Sequence, residues 1–118
     1  MIYTSHYYSG KIKGRAIGIS LYPPRDFKGQ YLQLLAPTRE IFRFWKSSAC
    51  DEEAWDEYKK QYKALLISRW PDVKQWLVSL SAEEDMTLLC YKETYCHRHL
   101  VGLLIEKHRP ELWGGETK

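Results

Sequence analysis

The run Met86-Thr87-Leu88-Leu89-Cys90-Tyr91, bounded by Asp85 and Lys92, constrains the fold more than any other stretch of the chain. A strand that alternates apolar and polar residues buries one face, whereas a short continuous apolar run needs cover on both, as interior strands of parallel sheets do. The chain then turns through Tyr95 into a helix predicted from about Cys96 to His108, with Leu100, Leu103 and Leu104 inward and Pro110 and Gly114-Gly115 ending it. Strand followed by helix is the unit of an α/β layer structure.

Upstream, Ile2-Tyr3-Thr4-Ser5 and Ala16-Ile17-Gly18-Ile19-Ser20-Leu21 read as two more strands that end in hydroxyls, and residues 22–37, with their prolines and Gly29, as a structured loop. Thr38 is placed to cap a helix reaching Ser47 through Ile41, Phe42 and Trp45. Asp51 starts a second, in which Trp55, Tyr58, Tyr62, Leu65 and Leu66 fall on one face. Pro71 suits the first turn of a third, with Val73, Trp76, Leu77 and Leu80 as its apolar stripe. The expected architecture is a single small α/β domain over residues 1–118, its core about 1–110 and its tail 111–118. About four helices pack on a partly parallel sheet of about three or four strands.

A chain of 118 residues with 44% hydrophobic content can bury one core. Its net charge of +3 is too mild to mark a nucleic-acid binder, although residues 1–50 set Lys11, Lys13, Arg15, Arg25, Lys28, Arg39, Arg43 and Lys46 against only Asp26 and Glu40. Three cysteines and no basic, apolar leader argue for reduced thiols and a cytoplasmic location, and no stretch approaches a membrane span. Oligomeric state is open.

Chemistry gathers between Cys90 and His99. A helix beginning at Cys96 offers unpaired N–H groups and about half a positive charge, which suit a phosphate or carboxylate, and Arg98 can add a bidentate grip. The same field favours a Cys96 thiolate, with His97 as base, so Cys96 and His97 are the candidate catalytic pair. Ser5, His6, Ser20 and Arg25 would reach the same sheet edge if their strands run parallel to the Leu88 strand, joining Cys90, Tyr91 and Arg98 in one ligand pocket. Cys90, Cys96, His97 and His99 are zinc-type ligands. They lack the paired C-x2-C spacing of structural zinc sites, and His97 and His99 point roughly 200° apart on a helix. No metal and no cofactor is therefore assigned. The plain alternatives are a core role for Cys90, core packing for the Trp and Tyr residues at helical spacing, and surface positions for His6 and His99.

The chain resembles the domain of unknown function 488 family, in particular its short bacterial and phage-type members. The likeness rests on Tyr3-Thr4-Ser5, Ile19-Ser20 with Pro23-Pro24 and Phe27-Lys28-Gly29, Leu35-Ala36-Pro37, and Leu88-Leu89-Cys90-Tyr91 with Cys96-His97-Arg98-His99-Leu100. Where that family places a glutamate after the aromatic that follows the first cysteine, this chain has Lys92, and Glu93 comes one residue later as a secondary candidate. The resemblance implies the α/β fold and the site, and no particular reaction.

The function expected from the sequence is a small α/β protein whose strand-end pocket takes a small anionic, nucleotide-like ligand, with thiol or acid–base chemistry. The competing expectation is a module without catalysis that binds nucleic acid or a protein partner.

Overall fold

The computed structural model describes residues 1–91 and 94–117. Five strands form one sheet: β1 (Ile2–His6), β2 (Arg15–Gly18), β3 (Gln30–Tyr31), β4 (Met86–Cys90) and β5 (Trp113–Glu116). Their order is β3-β2-β4-β1-β5, and every pairing is parallel, so the sheet is parallel throughout rather than in part. β4 lies at the centre, Ile2 to His6 of β1 pairing with Met86 to Cys90 and Arg15 to Gly18 of β2 with Met86 to Leu89. All five of its residues are buried, as its continuous apolar run requires.

The sheet has slightly more strands than the expected three or four, and two of them lie outside the runs read as strands. β3 lies within the stretch read as loop, where the turn Gln33–Leu35 follows it. The expected tail is β5, which pairs along β1 and extends the sheet edge. Its Gly114 is a packing residue: a Cβ there would collide with the Tyr3 ring. The second strand is shorter than expected, yet Ile19 N–H still donates to the Leu89 carbonyl beyond its end, at 2.9 Å.

Four helices follow the expected starts: α1 (Arg39–Ser47), α2 (Glu52–Ser68), α3 (Trp70–Ser79) and α4 (His97–His108). The Thr38 hydroxyl accepts from Ile41 N–H at 3.3 Å and the Asp51 carboxylate from Ala54 N–H at 2.9 Å, which satisfies donors the first turns would otherwise leave open. Ile41, Trp45, Tyr58, Tyr62, Leu66, Val73, Leu77, Val101 and Ile105 from these helices share one core with Ile2, Ile17, Ile19 and Leu88 of the sheet. In α4 the buried line runs through Val101, Gly102 and Ile105, and Leu103, expected inward, is exposed. Among the described residues no helix is long and apolar enough to cross a membrane.

Candidate functional site

Parallel strands send their carboxyl ends to one edge, and here that edge is where β4 hands over to α4. A cavity of about 540 Å³ opens there, with Ser20, Cys90, Cys96 and His97 among its lining residues. Its walls are aromatic: Tyr8, Tyr22, Phe42, Trp45, Tyr58, Tyr91 and Tyr95, with Lys46 beside them. A second concavity of about 640 Å³ lies at the opposite end of the sheet, around Arg15 and Met86, where Arg15 is paired with Glu84 at 2.9 Å.

Cys90 ends its strand and Cys96 is the N-cap of α4, so the turn brings both thiols to the same spot, each about 5% exposed. His97 Nδ1 is 3.8 Å from each sulfur, and its Nε2 is 2.7 Å from the Ile19 carbonyl oxygen. A carbonyl can only accept, so Nε2 carries a proton, and Nδ1 faces the two thiols. The Tyr62 ring packs on the imidazole at 5.3 Å and is itself tied down by its hydroxyl, which donates to the Leu35 carbonyl at 2.6 Å.

The two thiols are unequal. For Cys96, burial works against the anion, but the Cys90 thiol, the His97 ring and the Arg98 N–H outweigh it, and its pKa lies well below the ordinary value. That N–H favours the anion without completing a cap hydrogen bond to the sulfur. Cys90 moves the opposite way, because its proton is engaged by Cys96 and because it is buried. The pair thus shares its protons with the anion on Cys96. Beside it, Tyr7 and Ser20 hydroxyls meet at 2.5 Å, and burial first, then Cys90 and Tyr91, push the Tyr7 phenol up to about 12 against the lowering effect of that bond.

Of the residues singled out in the sequence, Ser20, Cys90, Tyr91, Cys96 and His97 meet in this cavity. Ser5, His6, Arg25 and Arg98 are not among those lining it, so the expected single pocket joining Ser5 and Arg98 to Ser20 and Cys90 does not form. Ser5 donates instead to the Thr117 carbonyl at 2.9 Å. Arg98 Nε pairs with Glu116 at 2.8 Å and its Nη1 donates to the Tyr91 carbonyl at 2.7 Å, so it clamps β5 and the end of β4 to α4. Its guanidinium also reaches Cys96, by its charge and by a side-chain hydrogen bond. His99 turns to Glu116 at 3.7 Å, away from the thiols, and Arg25 is exposed. Glu93, the secondary candidate, lies outside the described residues.

Sequence reasoning did not assign Tyr8, Phe42, Trp45, Tyr58 and Tyr95 to the site. The available signal was the aromatic content of 14%, which rings in the core alone need not absorb. Tyr58, Trp55 and Tyr95 form a stack, with Trp55 5.1 Å from Tyr58 and 5.4 Å from Tyr95, so the two cavity rings Tyr58 and Tyr95 are held in place by Trp55 of α2.

Comparison with known proteins gives one family. A family model described as "DUF488-N3a: Active DUF488-N3 subclade" matches residues 2–109, and the chain belongs to that family. No curated protein and no solved structure matches.

Proposed function

We propose that this member of the DUF488-N3a subclade binds a small molecule bearing a flat, nucleobase-like ring in the aromatic cavity and acts on it with the Cys96 thiol. The observation that carries the reading is the juxtaposition of Cys96, Cys90 and His97 with Tyr22, Phe42, Trp45 and Tyr95 around one cavity of about 540 Å³. Ring walls favour ring ligands through stacked and edge contacts, and a pocket of this size suits a ligand of nucleoside dimensions. In this reading His97 Nδ1 accepts the Cys96 proton while the Ile19 carbonyl keeps the ring in register. An anionic group on the ligand would meet the first turn of α4 and Lys46, not Arg25 or Arg98. The word "Active" in the family description agrees with a working site.

The test is protection of Cys96 from iodoacetamide in a Cys50→Ser protein, which removes the exposed thiol. A panel of nucleosides, nucleotides and inorganic phosphate is added, and labelling is located by peptide mass spectrometry. Ring-bearing ligands should slow Cys96 labelling and phosphate alone should not. Equal labelling with every member of the panel would overturn the proposal, and would favour the competing module without catalysis.

A further inference from the structure

The geometry points to a second use of the same cluster: Cys90, Cys96 and His97 form a three-ligand site for a soft divalent cation, with Zn²⁺ as its representative. Their ligand atoms all lie within 4.8 Å of one another, and each sulfur is 3.8 Å from Nδ1. A zinc ion with bonds of about 2.3 Å to sulfur and about 2.1 Å to nitrogen at tetrahedral angles needs S···N separations of about 3.6 Å. The two S···N separations would have to contract by only a few tenths of an ångström.

The second argument is the imidazole. Metal-bound histidines usually donate their other ring N–H to a carbonyl or carboxylate, which fixes the tautomer and aims the lone pair. His97 already has this arrangement: Nε2 donates to the Ile19 oxygen at 2.7 Å and Nδ1 faces both sulfurs. Two thiolates and one imidazole match soft, thiophilic ions and not magnesium or calcium. All three ligands line the aromatic cavity, so a fourth coordination position would open onto it. The sequence spacing argued against zinc because it lacks the paired C-x2-C arrangement and because His97 and His99 point apart; folding brings Cys90 and Cys96 together across the turn, and three ligands suffice without His99.

Binding needs both sulfurs as thiolates and Nδ1 unprotonated, so whatever protons these three atoms hold go to solvent while Nε2–H stays on its carbonyl. Both sulfurs then become ligands, and the thiol chemistry proposed above stops while the ion is bound. The inference goes beyond that reading and stands on the cluster's geometry alone.

The experiment is anaerobic titration of Co²⁺ into reduced, chelator-treated Cys50→Ser protein. One Co²⁺ per chain is expected, with a thiolate-to-cobalt charge-transfer band and the strong visible absorption of a tetrahedral ion, both displaced by Zn²⁺. Cys90→Ser and Cys96→Ser should each sharply lower the charge-transfer intensity, and His97→Gln should weaken Co²⁺ binding by more than the roughly 10- to 100-fold that loss of an outer-shell partner costs. Absence of the band from the Cys50→Ser protein, whose cluster is intact, overturns the inference whatever the other variants do. So does a band of undiminished intensity in a folded Cys96→Ser variant. If Co²⁺ binds but no ring-bearing ligand slows Cys96 alkylation, the metal site stands and the proposed function falls. The reverse pattern removes the metal site alone.

Discussion

Two sides of the α4 N-terminus, built from adjacent residues, have different chemistry. His97 and Arg98 are neighbours in sequence, and successive helical residues point about 100° apart. His97 turns to the cavity, where it meets Cys90, Cys96 and the carbonyl of Ile19. Arg98 also reaches Cys96, but its ion pair is with Glu116 at the sheet edge and, through it, it meets Thr4 and His99. The cavity side holds its polar groups against aromatic rings and leaves them open to a ligand. On the other side the polar groups are spent on one another: Ser5 on the Thr117 carbonyl, Thr4 and Arg98 on Glu116. A cluster of charged and hydroxyl residues near a sheet edge is thus as much a fold clamp as a binding site, and only the partners tell them apart.

This division fixes an order of expected effects. Arg98→Ala should be the most destabilising change, by about 3 kcal/mol, because it leaves Glu116 half-buried without its cation and the Tyr91 carbonyl without that donor. Urea unfolding measures it. A loss under about 1 kcal/mol together with lost ligand binding would break the division and return Arg98 to the pocket. Cys96→Ser should do the reverse, abolishing alkylation at that position and any thiol-dependent turnover while the fold survives, as read by circular dichroism beside activity.

Smaller effects sharpen the contrast. Phe42→Ala removes a half-buried wall ring that packs edge-on against Tyr22 at 5.3 Å, and should weaken a ring-bearing ligand by about tenfold in a fluorescence titration. Unchanged affinity would take that wall out of the site. Glu116→Gln keeps the side chain's shape but not its charge, and should cost about 1 kcal/mol without changing Cys96 labelling by the alkylating agent. Asp51→Ala, remote from both sides, should cost about 1 kcal/mol through the lost cap of α2 and leave ligand affinity alone.

Much of the fold was legible because its elements announce themselves locally. Thr38, Asp51 and Pro71 mark three helix starts through backbone chemistry that does not depend on what the helix packs against. The apolar run of β4 needs only its own composition to read as interior. β3 gives no such signal, since both of its residues are exposed and two residues carry no period. β5 hides behind Gly114-Gly115, a pair that reads as a terminator until the Tyr3 ring packed against Gly114 explains it.

The site was legible in the same uneven way. Cys90, Cys96 and His97 could be found from a strand end and a helix start, and the turn does bring them together. Ser5 and Arg98 could not be assigned, because which side of the edge a side chain faces depends on strand order, and β5 was unseen. The aromatic wall draws on α1, α2 and three loops far apart in sequence, so only the folded chain assembles it.

The central claim is that the cavity beside Cys96, rather than the Arg98 side, is where this protein meets its ligand. The direct measurement is the iodoacetamide labelling rate of Cys96 in Cys50→Ser protein, with and without a nucleoside panel, run in parallel on a Phe42→Ala variant. Slower labelling by a ring-bearing ligand, with the protection shifted to about tenfold higher concentration by Phe42→Ala, is the predicted result. Labelling that no ring-bearing compound slows, in protein whose fold is intact, would contradict it.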